Sequence, residues 1–159
     1  MGVGKGTIAR ALVKQSDYFA IDTDDIIESL ENTKIKKIFE TKGEPYFRDL
    51  EKKCALWCEN SLKNTIISTG GGFHKQENIK RIGKIVYLDS SFEGIIQRLK
   101  DAPNSKKKFK KRPLLQDLDV AKGIYDQRIE DYKNVADIII DVENKSTDYV
   151  VSQILQAIN

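Results

Sequence analysis

A three-layer α/β fold, a parallel sheet covered by helices on both faces, is predicted by two observations. Short β-rich runs alternate with amphipathic helical runs along the whole chain, and strands separated by helices pair in parallel and bury both faces. A glycine-rich loop at the start of the chain leads straight into the first helical run.

That run, Lys5 to Gln15, places Ile8, Ala9, Leu12 and Val13 on one side. A short strand follows at Tyr18 to Asp22. Helical patterns then occupy Thr23 to Leu30, Lys34 to Thr41 and Glu44 to Leu62, the last with Phe47, Leu50, Cys54, Trp57 and Cys58 at helical spacing. Next come a strand at Thr65 to Thr69, a glycine triplet, a short helix near Gln76 to Arg81, a strand at Lys84 to Leu88 and a helix over Ser91 to Lys100. Residues Asp101 to Lys111 are lysine-heavy without an apolar period and are predicted to form a mobile loop. A helix from Leu118 to Tyr132, a strand at Ala136 to Asp141 and a helix from Thr147 to Ile158 complete the pattern.

The 159 residues suit one domain over positions 1–159. Apolar residues at 40% and charged residues at 32% are ordinary for a globular chain. No apolar run reaches the roughly 18 residues a membrane span requires, and no secretory signal pattern opens the sequence, so a cytoplasmic location without membrane association is expected. A net charge of +3 is too small to argue for nucleic acid. The lysines between positions 106 and 111 interleave a single aromatic, Phe109, and read as solvated charges. Cys54 and Cys58 share a helical face with Phe47, Leu50 and Leu62 and read as core thiols. No exposed apolar stripe stands out, so a monomer is expected.

Residues Gly2, Val3, Gly4, Lys5, Gly6 and Thr7 form a phosphate-loop string. Backbone N–H groups of such a loop converge on an anion, and the helix N-terminus adds positive potential. Lys5 is placed to reach the β- and γ-phosphates of ATP, and Thr7 to hold Mg²⁺. The usual string has Ser or Thr directly after the lysine, whereas here Gly6 intervenes, a form that looks like adenylate kinases. A strand normally precedes such a loop, and the sequence begins inside the loop. Five large apolar side chains of a central strand would contribute on the order of 10 kcal/mol at about 1.5–3 kcal/mol each. Net domain stability is only about 5–15 kcal/mol. Residues upstream of Met1 are therefore expected in the natural protein.

Four further signals fall in order. Asp22 and Asp24 sit at the carboxyl end of the strand that starts at Tyr18, the edge where open α/β sheets bind ligands. The string Gly43-Glu44-Pro45-Tyr46-Phe47-Arg48-Asp49-Leu50-Glu51 opens the long helix. Gly70, Gly71 and Gly72 follow a strand. Arg112-Pro113-Leu114 closes the lysine-rich loop, with Arg128 and Tyr132 on the next helix.

Together these strings resemble the shikimate kinase family of P-loop, nucleoside monophosphate kinase-like enzymes, over nearly the full chain. The resemblance implies a P-loop NTPase fold, ATP and Mg²⁺ as cofactors, and transfer of the γ-phosphoryl group to the 3-hydroxyl of shikimate, a small-molecule partner. It implies a substrate-binding segment over 23–62 and a lid over 101–117. Arg48 and Arg128 would clamp the substrate carboxylate, Asp24 would orient or deprotonate the attacking hydroxyl, and Gly70, Gly71 and Gly72 would let backbone N–H groups approach ligand oxygens. Asp22 would act on the Mg²⁺ shell, Arg112 would swing over the phosphates opposite Lys5, and Arg98 with the Asn144-Lys145-Ser146 turn would lie near the adenine.

Blander roles exist for the same residues. Asp22, Thr23 and Asp24 precede a helix and are good capping types, and an isolated arginine usually makes a surface ion pair. Two other functions fit part of the pattern: another small P-loop kinase acting on a nucleoside monophosphate or gluconate, which the Gly-Lys-Gly-Thr string favours, and a degenerate nucleotide-binding module without activity.

Overall fold

The computed structural model describes residues 2–110 and 115–158. The chain forms two compact units, Gly6–Lys84 and Met1–Lys5 with Ile85–Asn159. Each contains one pair of parallel strands flanked by helices.

In the first unit, helix α1 (Lys5–Lys14) buries Ile8, Ala9 and Leu12. Strand β1 (Phe19–Asp22) pairs in parallel with β2 (Thr65–Ser68), in a register that sets Asp22 beside Ser68. Between them lie α2 (Thr23–Glu31) and α3 (Ile35–Ser61). The chain leaves α2 through Asn32, whose φ of 48° ends the helix, and Glu28 closes the corner by accepting from the Ile35 backbone N–H at 3.0 Å.

The two helices predicted from Lys34 to Leu62 are continuous except at Gly43, whose φ of 81° and ψ of 171° break the helical path. A side chain disfavours that backbone conformation, and Pro45 then restarts the helix where a missing N–H costs nothing. Ile27, Ile38, Phe47, Leu50, Cys54 and Cys58 form this unit's core, with Ile21 and Ile67 of the strands packed against them. Both cysteines are free thiols in that core. Trp57 departs from the expected apolar face and is 43% exposed. The buried arc is centred on Cys54, Ala55, Cys58 and the carboxylate-bearing Glu51, which leaves Trp57 on its flank. After β2, the short helix predicted near Gln76 to Arg81 is a 3₁₀ turn at Phe73–Lys75 followed by one helical turn, α4 (Ile79–Ile82).

In the second unit, β3 (Val86–Asp89) and β4 (Ile138–Asp141) pair in parallel and end side by side at Asp89 and Asp141. Helix α5 (Phe92–Asp101) supplies Phe92, Ile95, Ile96 and Leu99 to a core completed by Leu115 and Ala121. Helices α7 (Leu118–Val135) and α8 (Thr147–Ile158) follow the prediction closely.

The predicted loop from Asp101 to Lys111 is corrected. Asp101 ends α5, and Ser105–Lys110 form a helix, α6. Lysine is a good helix former, and Phe109 packs against the Phe92–Leu99 core while its carbonyl accepts from Gln116 Nε2 at 2.9 Å. One apolar residue in a six-residue helix leaves no period to detect. Among the described residues no helix is long and apolar enough to cross a membrane.

Candidate active site

The carboxyl ends of β1 and β2 carry one cluster. Asp22 ends β1 in extended conformation and caps α2, its Oδ1 accepting from the Asp24 N–H at 2.9 Å. Its Oδ2 accepts from Ser68 Oγ at 2.8 Å, which ties the two strand ends together. Thr23, almost wholly buried, accepts at Oγ1 from the Gly70 N–H at 3.2 Å. The cap fixes the first turn of α2 and so the direction of the half-buried Asp24 side chain.

The glycine triplet is shaped by what faces it. A Cβ on Gly70 would stand 2.5 Å from Asp24 Oδ1, and one on Gly72 would overlap the Arg48 guanidinium. The turn therefore carries Asp24 and Arg48 so close to its glycines that a side chain on Gly70 or Gly72 would displace them. His74, in the 3₁₀ turn, lies 3.1 Å through Nδ1 from the Gly71 carbonyl.

Arg48 is held from two sides. Nη1 donates to Glu51 Oε2 at 2.5 Å, while Nε and Nη2 donate to Glu44 Oε1 at 3.0 and 2.7 Å. Glu51 is buried and Glu44 is exposed. Partial burial alone would pull the guanidinium pKa down, but hydrogen bonds to Glu51 and Glu44 outweigh it and hold the pKa above its usual value. Its cation also lies 5.5 Å from the centre of the Phe47 ring.

A second cluster lies in the other unit. Gly2 and Gly4 have φ of 72° and 103°, conformations glycine adopts freely. Arg98 Nη1 donates to the Gly2 carbonyl at 3.2 Å, and its guanidinium fills the place a Gly4 side chain would take. Val3 and Arg98 line a cavity of about 650 Å³ with Ser90, Glu143, Asn144 and Lys145. Glu143 accepts from the Ser91 N–H at 2.7 Å and from Ser90 Oγ at 3.3 Å, and these bonds, Ser91's first, hold its carboxyl below the usual range.

The structure thus brings together Asp22, Asp24, Arg48, Gly70 and Gly72 in one unit, and Gly2, Val3, Gly4 and Arg98 with Asn144 and Lys145 in the other. Half-buried Lys5 opens α1, Gly6 follows it, and Thr7 is exposed in the first turn. Gly71 is exposed beside its two neighbours. Arg128 is half-buried on α7, and its positive charge bears on Tyr132, where burial pushes the phenol pKa up and Arg128 opposes it. Arg112 lies outside the described residues.

Sequence reasoning gave no role to Glu44, Glu51 or Glu143. The spacings of Glu44 and Glu51 from Arg48, four and three residues along a helix, were a readable signal. The contact of Glu143 with Ser91 joins distant parts of the chain and left none.

Parallel strands flanked by helices, a glycine-bent loop opening a helix, and a carboxylate with an arginine at the strand ends define a P-loop kinase. A family model described as shikimate kinase matches residues 1–159. A shikimate kinase of Helicobacter hepaticus is 38% identical over 140 residues, covering 88% of this chain and 81% of that protein. One from Sulfurihydrogenibium is 36% identical, with 99% and 93% covered. Among solved structures, shikimate kinase from Acinetobacter baumannii in complex with shikimate superposes with a TM-score of 0.85 at 31% identity, covering 99% of this chain and 88% of that one. The Aquifex aeolicus enzyme gives 0.78 at 33% identity, covering 99% and 91%. The chain belongs to the shikimate kinase family.

Proposed function

We propose that this chain transfers the γ-phosphoryl group of ATP to the 3-hydroxyl of shikimate, giving ADP and shikimate 3-phosphate. The observation that carries this reading is the packing of Asp24 and Arg48 against Gly70 and Gly72 at the ends of two parallel strands. That arrangement offers one acceptor for hydroxyls and one cation for a carboxylate, on a turn whose backbone a ligand can approach closely.

In this reading Asp24 accepts hydrogen bonds from the substrate hydroxyls and takes or orients the proton of the attacking oxygen. Arg48 and Arg128 hold the substrate carboxylate, each charged hydrogen bond contributing about 1.5–3 kcal/mol. The loop from Gly2 to Thr7 cradles the phosphates, Lys5 balances charge on the β- and γ-oxygens, and Arg112 does so from a lid over 101–117. Arg98, Asn144 and Lys145 surround the adenosine end. The whole acts as one domain with a substrate-binding segment over 23–62, as a cytoplasmic monomer.

The Thr7 hydroxyl and the Asp22 carboxylate are hard oxygen donors of the kind Mg²⁺ takes, mostly through water. Each Asp22 oxygen has a lone pair beyond its one described hydrogen bond. Bound there with ATP, Mg²⁺ supplies neutralisation of the phosphate oxygens. With little covalent work for the protein, positioning and charge stabilisation supply the acceleration.

Phosphorus NMR of a reaction containing ATP, Mg²⁺ and shikimate tests this reading. A new phosphate-monoester resonance coupled to the ring proton at C3 is expected. ATP consumed with only inorganic phosphate formed would refute it.

A further inference from the structure

We infer that Glu44 is an internal carboxylate that occupies the substrate-facing edge of Arg48 and must yield it when a carboxylate-bearing substrate binds. The inference rests on the reading of Arg48 as the carboxylate clamp.

A guanidinium recognises a carboxylate through one of its two-nitrogen edges. Nη1 is committed to buried Glu51, and the same end of the group lies against Gly72. The other edge, Nε with Nη2, carries Glu44, a single oxygen of which accepts from both nitrogens. Glu44 is 60% exposed where Glu51 is 2% exposed, so only one of the two carboxylates can leave for water at low cost. Glu44 follows the Gly43 break and sits in the first turn of the restarted helix, where its charge remains favourable to the helix dipole once the contact opens.

An exposed pair four residues apart on a helix is weak. It is strong enough to pre-orient the Arg48 fork and weak enough for an incoming carboxylate to displace. Glu44 therefore sets a threshold at this subsite: a ligand must offer a better carboxylate than the one already present, and a neutral ligand gains nothing by displacing it.

The test compares wild type, Glu44→Gln and Arg48→Ala, titrating shikimate and its methyl ester by calorimetry and measuring KM for shikimate and ATP. Glu44→Gln is expected to tighten shikimate by about two- to fivefold, with the change in KM for shikimate, none in KM for ATP, and no gain for the ester. Shikimate affinity unchanged or weakened in Glu44→Gln, or an equal gain for the ester, overturns the inference while a loss in Arg48→Ala leaves the clamp standing. Unchanged shikimate affinity in Arg48→Ala overturns the clamp and the inference together.

Discussion

Asp24 and Gly70 are packed so that a methyl group on Gly70 would stand 2.5 Å from Asp24 Oδ1. The carboxylate is thus aimed by two independent constraints, the α2 cap at Asp22 behind it and the bare Gly70 backbone beside it. A nearby second contact, Gly72 with Arg48, repeats the device for a cation.

Gly70→Ala is expected to push Asp24 out of line while leaving the core untouched. A displacement near 1 Å at a reacting group costs about 10²-fold in rate, so kcat with shikimate should fall by that order with KM for ATP unchanged. Steady-state kinetics with a thermal melt on the same sample reads both, and wild-type kcat would show that the packing does not position the carboxylate.

Asp24→Asn keeps the size of the side chain and removes its charge and basicity. General-base contributions run to about 10²–10⁴-fold, and kcat should drop within that range with far-UV circular dichroism unchanged. Near-normal turnover would assign Asp24 to packing against Gly70 alone.

Arg48→Ala should raise KM for shikimate by about 10- to 100-fold, the equivalent of one charged hydrogen bond, with little change in KM for ATP. The same substitution leaves the Glu51 carboxylate buried without its cation, so stability falls as well. The double variant Arg48→Ala/Glu51→Gln should recover stability without recovering shikimate affinity. Equal losses for both substrates would contradict the assignment.

The corner between α2 and α3 predicts a pH dependence. Burial raises the pKa of Glu28, but hydrogen bonds from Lys34 and the Ile35 N–H outweigh it and bring the pKa below the usual 4.5. A carboxyl with a lowered folded pKa stabilises the fold above its unfolded pKa and loses that contribution as pH falls through the folded value. Glu28→Gln should therefore lower the melting temperature at pH 7, by a margin that shrinks as the pH is taken progressively below 4.5. A deficit that does not change with pH would show that Glu28 acts without its charge.

Much of the fold and of the cluster at the strand ends was legible in the sequence, because those features are local or carried by short strings. The strands lie within two residues of their predicted starts and ends because β-branched runs between turns mark them. Asp22, Asp24, Arg48 and the glycine triplet sit within such strings. What was not legible depends on tertiary contact. Helix α6 forms where Phe109 finds a core, Trp57 falls off a face that the periodicity included, and the Arg98 side chain reaches Gly2 across 96 positions of sequence. No local pattern encodes those distances.

The central claim is tested most directly by coupled ADP release with ATP and Mg²⁺, comparing shikimate with nucleoside monophosphates and gluconate as acceptors. The account predicts ADP release that depends on shikimate, falls by about 10²–10⁴-fold in Asp24→Asn, and does not rise above background with the other acceptors. Turnover with a nucleoside monophosphate or gluconate but not with shikimate would contradict it.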